Sequence, residues 1–365
     1  MMMSCRGSGF PNRGICCYNL TMSELALYRK YRPAKFSEVI GQEQVTGVLE
    51  SAIKQGNLVH AYLFVGSRGT GKTSVARIFA KTIGTSDNDL IEIDGASNRG
   101  IDEIRALREA VRTLPFESKY KVYIIDEVHM LTKDAFNALL KTLEEPPAHV
   151  IFILATTEQH KVIDTIVSRC QTFIFKKPTN EILKKVAKDI AKKEGFTIAD
   201  DVADLLAFMG DGSFRDTIGI LQKVIDSSAD KKIELDEVQK ITGAPPLKLV
   251  YDLVEAIADN NLDYALTVID AANETATDFK IFLKLVMREI RLALLTTMSP
   301  TLKTKILAEA GDKEKEFFTI LSTKPGAKNL ATALREFLDT YNLLGNSFSP
   351  QIPLELAVIK ILKTE

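Results

Sequence analysis

The run Gly66-Ser67-Arg68-Gly69-Thr70-Gly71-Lys72-Thr73 matches G-x-x-x-x-G-K-[ST] at every fixed position. Glycines let a backbone turn tightly enough to aim its amides inward at an anion. A lysine at that position can reach terminal phosphates, and the hydroxyl after it can join the shell of a Mg²⁺ ion. The implied chemistry is capture of a nucleoside triphosphate by Gly66, Ser67, Arg68, Gly69, Thr70, Gly71, Lys72, Thr73 and Ser74. Further on, Val122-Tyr123-Ile124-Ile125-Asp126-Glu127 is an apolar run closing on two carboxylates. Asp126 would join Thr73 in holding Mg²⁺. Glu127 would polarise an attacking water, because a general base sits one hydrogen bond from the proton it takes. An acidic residue at that second position favours hydrolysis over binding alone.

These groups need a frame. Ala61–Val65, Leu90–Asp94, Val122–Ile125, Val150–Ala155 and Gln171–Phe175 read as strands. Thr73–Ile83, Ile101–Leu114 and Lys133–Leu143 read as helices between them, with Ile101, Ile104, Leu107 and Val111 on one face. Continuous apolar strands alternating with helices imply an α/β domain with a parallel five-stranded sheet covered on both faces. The glycine loop then follows a strand and opens a helix. The acidic pair sits at a strand's C-terminal edge, where such sheets bind ligands. After Lys176-Lys177-Pro178 the pattern turns helical: Glu181–Lys193, Asp200–Met209 and Ser213–Asp226. Beyond Gly243-Ala244-Pro245-Pro246 it stays helical through Leu249–Ile257, Tyr264–Ala272, Phe279–Leu294, Leu302–Ala310, Leu330–Leu344 and Leu354–Leu362. The expected division is a leader at 1–22, an α/β domain at 23–178, an all-α domain at 179–243 and a second at 244–365.

Composition narrows the function classes. With 47 basic and 48 acidic residues the net charge is −1, which excludes a polybasic protein and requires any nucleic-acid contact to be local. A chain 26% charged and 45% hydrophobic is globular rather than disordered, and no apolar run is long enough for a membrane helix. Cys5, Cys16, Cys17 and Cys170 form no C-x-x-C pair, which supports neither a zinc ribbon nor a disulfide framework and fits a reducing compartment. His60, His129, His149 and His160 are scattered, with no H-E-x-x-H. Met1–Thr21 carries Arg6 and Arg13 but no acid, and Ile15–Leu20 is too short for a signal-peptide core. The preferred reading over a transit peptide is a disordered upstream stretch with a true start at Met22. The lysines Lys184, Lys185, Lys188, Lys192 and Lys193 read as a solvated helix face rather than a DNA site.

Several further stretches coincide with these motifs. They are Leu27-Tyr28-Arg29-Lys30-Tyr31-Arg32-Pro33, Phe36, Val39-Ile40-Gly41-Gln42, His60-Ala61-Tyr62-Leu63-Phe64 and Asp126-Glu127-Val128-His129-Met130-Leu131. Phe136 through Glu144-Glu145-Pro146-Pro147, Leu154-Ala155-Thr156-Thr157 and Ser168-Arg169-Cys170 complete the set. Over about Leu25 to Arg215 the chain closely resembles the gamma/tau family of bacterial DNA polymerase III subunits, the ATPases of the sliding-clamp loader. Replication factor C subunits share a looser version of the pattern.

The resemblance implies an AAA+ P-loop NTPase domain followed by an all-α lid and an all-α collar that joins subunits. It implies ATP and Mg²⁺, with Lys72, Asp126, Glu127, Thr156, Arg169 and Arg215 catalytic. Sensor 1 falls on Thr156, with Thr157 the second choice; sensor 2 falls on Arg215, with Ser213 capping its helix. Arg169 would reach the ATP of a neighbouring subunit, which requires head-to-tail contacts and a ring, by family a heteropentamer. Tyr28, Arg32, Pro33 and Ile40 would line the adenine by backbone or packing contacts. Arg99 and Arg105 would face primed DNA through its phosphates. The remaining partners are the sliding clamp and the other loader subunits, with no membrane; the location is the cytoplasmic, nucleoid-associated replisome.

Two departures stand out. Most relatives carry a cysteine zinc module where this chain has Gly84-Thr85-Ser86-Asp87-Asn88-Asp89, so zinc is expected to be absent. The chain ends at Glu365, which resembles the short gamma form without the long tail. Intact Lys72, Thr73, Asp126 and Glu127 argue against an inert scaffold subunit. The Ser-Arg-Cys and Glu-Glu-Pro-Pro elements argue against a branch-migration motor. Nothing resembles a nucleotidyltransferase site.

Overall fold

The computed structural model describes residues 25–98, 100–228, 230–275, 277–309, 311–324, 329–345 and 347–363. The expected leader and Arg99 lie outside the described residues.

Five strands, β1 (Ala61–Val65), β2 (Leu90–Asp94), β3 (Lys121–Asp126), β4 (Val150–Thr156) and β5 (Gln171–Ile174), form one parallel sheet in the order β2-β3-β4-β1-β5. The strand alternation sorts side chains between two cores. Tyr62, Phe64, Ile124 and Ile153 pack with Val75 and Phe79 of the helix Lys72–Thr82 and with Leu49 of the helix Glu43–Gln55. Leu63, Tyr123, Ile125, Phe152 and Leu154 pack on the other face with Leu107 of Ile101–Val111 and Leu139 of Lys133–Glu144. Every residue of β4 is buried, which is why it reads as an unbroken apolar run. Parallel pairing brings the C-terminal ends of β1, β3 and β4 to one edge, and Gly66 continues the ladder by donating its N–H to the Thr156 carbonyl at 3.1 Å.

The second unit packs the helices Asn180–Lys193, Asp200–Met209, Phe214–Ser227 and Leu235–Thr242, with two-residue parallel strands β6 (Thr197–Ile198) and β7 (Lys232–Ile233). Its core is discontinuous in sequence. Leu27, from the short helix Leu27–Lys30, is buried among these helices, and its N–H donates to Gln222 Oε1 at 3.0 Å. Lys30 Nζ donates to Glu194 at 2.7 Å, and the Tyr31 hydroxyl donates to the same carboxylate. Within the lysine run, Lys184 pairs with Asp204 at 2.9 Å, and Lys188 pairs with Asp200.

The third unit gathers Leu247–Ala258, Leu262–Glu274, Phe279–Met298, Pro300–Glu309, Asp312–Thr323, Asn329–Leu343 and Gln351–Lys363 around one core. It is joined to the second: Phe208 packs on its core, Ile281 touches both cores, and Lys284 Nζ donates to Asp211 at 3.2 Å. Two helices, Leu235–Thr242 and Asp312–Thr323, were not expected from periodicity; the first is short, and the second buries only Phe317, Phe318 and Leu321 among its described side chains. Phe279–Met298 runs past its expected end at Leu294, and the Thr296 and Thr297 hydroxyls both donate back to the Ala293 carbonyl at 2.8 Å. Among the described residues no helix is long and apolar enough to cross a membrane.

Candidate active site

The glycine loop bridges β1 and the helix Lys72–Thr82. Gly71 ends it at φ 101°, and Gly69 at φ 74°, both in the left-handed region where a side chain is strained. Gly69 is constrained twice: a Cβ there would lie 1.9 Å from Ser213 Oγ. The second unit thus begins its third helix against the loop, and the Phe214 N–H donates to the Gly69 carbonyl at 3.0 Å. Ser213 is the N-cap of Phe214–Ser227, accepting from the Asp216 N–H at 3.2 Å, so Arg215 stands in the first turn.

Lys72 is only 6% exposed. Its ammonium donates to the Gly66 carbonyl at 2.7 Å and the Ser67 carbonyl at 3.0 Å. Burial pushes its pKa below the ordinary value, and the Glu127 and Asp126 carboxylates pull against that. Thr73 Oγ1 donates to Asp126 Oδ2 at 2.7 Å. These two hard oxygens, side by side at the strand edge, suit Mg²⁺ in donor type. Glu127 adopts a left-handed φ of 47°, its N–H donating to Asp126 Oδ1 at 2.9 Å.

A cleft of about 710 Å³ opens above these groups, between the sheet edge and the second unit. Arg68, Gly69, Thr70, Gly71, Lys72, Thr73 and Ser74 form its floor, with Asp126 and Glu127 beside them. Tyr28, Arg32, Pro33 and Ile40 line another wall. Arg215 enters from the second unit, its guanidinium 4.9 Å from the Tyr28 ring centre. Burial lowers the pKa of Arg32, and the nearby Arg77 guanidinium lowers it further. Gly66 and Ser67 contribute through the carbonyls that hold Lys72.

Other expected residues lie apart. Thr156 is fully buried, and its hydroxyl is engaged by His129 Nδ1 and by the Glu158 N–H, each at 3.0 Å. Thr157, the second choice for sensor 1, is the one whose hydroxyl donates to Glu127 Oε2, at 3.1 Å. Arg169 is outside the cleft: Nη2 pairs with Glu144 Oε1 at 2.7 Å and Nη1 donates to the Thr165 carbonyl at 2.7 Å. Arg105 is exposed on its helix. In place of a metal module, the segment after the first sheet helix ends in Asp89, whose buried carboxylate accepts the N–H groups of Phe116, Glu117 and Ser118 at 2.6–3.0 Å. Burial opposes ionisation of Asp89, but these bonds outweigh it and hold its pKa far below the usual carboxylate range.

Sequence reasoning passed over two supports. Gln42 is 1% exposed; its amide donates to the Lys176 carbonyl at 2.7 Å and accepts the Lys176 N–H at 3.2 Å, tying the N-terminal segment to the exit of β5. Its place in Val-Ile-Gly-Gln was the only signal available. His129, given no role among the scattered histidines or in the Asp126–Leu131 stretch, faces Glu127 Oε2 at 3.4 Å.

Comparison with known proteins bears on this cleft. A family model described as DNA polymerase III, delta subunit, matches residues 41–90 and 84–179. The tau subunit of DNA polymerase III from Bacillus subtilis is 39% identical over 94% of this chain and 64% of its own length. The gamma/tau subunit from Mycoplasma pneumoniae is 40% identical over 71% of this chain and 41% of its own. The chain therefore spans between two fifths and two thirds of these relatives. In fold, the RuvB Holliday junction branch migration motor of Thermotoga maritima aligns with a TM-score of 0.50, covering 62% of this chain and 79% of that one at 24% identity. That likeness is one of fold alone. At 39% identity over 94% of its length, the chain belongs to the DNA polymerase III gamma/tau family.

Proposed function

We propose that this chain is an ATP-hydrolysing subunit of a sliding-clamp loader. The observation that carries the reading is the convergence in one cleft of Lys72, the Thr73–Asp126 pair and Glu127, roofed by Arg215 from the lid. Residues 23–178 act as the ATPase domain, 179–243 as the lid and 244–365 as the collar.

The loop amides and Lys72 hold the triphosphate of ATP, and Tyr28, Arg32, Pro33 and Ile40 enclose its base. Thr73 and Asp126 hold Mg²⁺, which when bound neutralises phosphate charge. Glu127 accepts a proton from water as the water oxygen bonds to the γ-phosphorus. The bond from phosphorus to the β–γ bridging oxygen breaks, its electron pair leaving with ADP. Arg215 reports the γ-phosphate to the lid. For sensor 1 the hydroxyl geometry supports Thr157 over Thr156.

Arg169 acts in trans. Its half-buried position away from its own cleft supports a role at a neighbour's ATP, within a head-to-tail heteropentamer. ATP then favours one arrangement of the ring, which opens the clamp on primed DNA in the cytoplasmic replisome; hydrolysis releases it. Arg105 and Arg99 belong to the DNA-facing side and contact phosphates.

The test is the ATPase rate of the chain with its clamp, partner subunits and primed DNA added in turn. Strong stimulation only by the full set is the expected result. A rate indifferent to clamp and primed DNA would mean a different AAA+ machine.

A further inference from the structure

His129 has no part in the reading above and does not line the cleft, yet its ring is enclosed by groups of the cleft's inner wall. Its side chain is 5% exposed. Nδ1 lies 3.0 Å from Thr156 Oγ1 and 3.4 Å from Glu127 Oε2, while Nε2 lies 3.6 Å from Glu158 Oε1. The Thr156 hydroxyl is itself oriented, since it accepts the Glu158 N–H at 3.0 Å. The hydroxyl and Nδ1 share a hydrogen bond, and Nε2 faces Glu158. Amide, hydroxyl, imidazole and carboxylate then run in a loop from Glu158 back to Glu158. The ring cannot turn without losing contacts at both nitrogens.

Glu127 needs such a support. It lies one residue past the end of β3, in left-handed backbone, at the N-cap of the short 3-10 helix Val128–Met130. Its Oε2 is bracketed by the Thr157 hydroxyl at 3.1 Å and the His129 ring edge at 3.4 Å.

We propose that His129 is a positioning residue for Glu127: locked by Thr156 and Glu158, the imidazole is the wall that keeps the carboxylate from swinging back, and so sets the distance between base and attacked water. The inference rests on Glu127 being the base of the proposed hydrolysis. It also gives the buried Thr156 hydroxyl a task, that of aiming the ring rather than touching nucleotide. Misplacement of a reacting group by about 1 Å costs on the order of 10²-fold in rate, without touching ground-state binding.

The experiment uses the full chain with MgATP: single-turnover hydrolysis, titration with a fluorescent ATP analogue, and thermal melting. His129→Leu should slow hydrolysis about 10–100-fold while changing analogue affinity less than about twofold. His129→Asn, whose amide sets a polar atom near the place of Nδ1, should recover most of the rate. Thr156→Val should act in the same direction as His129→Leu, by less. Glu127→Gln should abolish hydrolysis, and adding His129→Leu to it should cost nothing more. If Glu127→Gln hydrolyses at the wild-type rate, the assignment of the site has failed and this inference with it. If Glu127→Gln is inactive, three results refute the positioning role alone. One is His129→Leu turning over normally. Another is His129→Leu losing rate, affinity and melting temperature together. The third is Asn recovering no more than Leu.

Discussion

Lys72 in the cleft and Glu289 in the collar are both charged residue types taken out of water, and the molecule treats them in opposite ways. Lys72, 6% exposed, has two loop carbonyls as acceptors and two carboxylates nearby. Glu289 is fully buried on the helix Phe279–Met298, and neither of its oxygens has a hydrogen-bond partner; the nearest cation, Arg288, is 3.7 Å away. Burial raises the Glu289 pKa to about 7, with Arg288 opposing and Glu314 adding to the shift. A buried charge is tolerated where partners are arranged around it, and is driven towards neutrality where they are not. The cleft is therefore built to keep a charge for use, whereas the collar carries a carboxyl that weakens its own unit. Substitutions in the first region should move chemistry and leave stability alone. Those in the second should do the reverse.

The largest effect belongs to Lys72. Lys72→Ala removes the phosphate cation and should abolish detectable turnover, with the melting temperature little changed; unchanged hydrolysis would show that the site is misassigned. Arg169→Ala should leave nucleotide affinity near normal but lower DNA-stimulated turnover of the assembled loader by on the order of 10³-fold. Retention of full stimulated turnover in an assembled ring would remove its trans role.

In the collar, Glu289→Met tests the other half of the contrast. Well below pH 4.5, the carboxyl is protonated in both the folded and the unfolded chain, and little is lost. As pH rises from there to about 7 the unfolded chain releases this proton while the folded chain keeps it, so stability falls and then levels off. The substitution should therefore stabilise the collar by about 1–3 kcal/mol at pH 8 and far less at pH 4.5. Melts at the two values decide it, and a gain independent of pH would break the comparison. The smallest effect is at the N-cap Asn261, whose Oδ1 accepts the Tyr264 N–H at 3.1 Å. Asn261→Ala should cost about 1 kcal/mol of collar stability and leave hydrolysis unchanged.

What was legible in the sequence follows from what is local. The edges of β1 and β2 coincide with the expected strands, β4 and β5 differ by a residue at one end, and β3 differs by a residue at each end. Apolar continuity and a following glycine or carboxylate suffice to mark a buried parallel strand. The phosphate loop and the acidic pair were legible because their chemistry is written in consecutive residues. Gln42 was not, because its partners are 134 residues away and leave no periodic trace. The choice between Thr156 and Thr157 was equally closed to sequence. Adjacent strand residues face opposite ways, and only the fold shows which hydroxyl meets Glu127.

The burial of Leu27 in the lid has a consequence for how the chain is made. Its bond to Gln222 spans 195 residues, and the whole sheet lies between the two. On a ribosome the last strand of the sheet emerges about 50 residues before Gln222, roughly 2–10 s earlier at 5–20 residues per second. Through that interval Leu27 has no core to enter. The second unit thus closes only after the sheet, when its helices emerge and take in a residue made far earlier. Truncation before that helix, or a stall in translating it, would leave a finished sheet beside an apolar N-terminal end with nowhere to go.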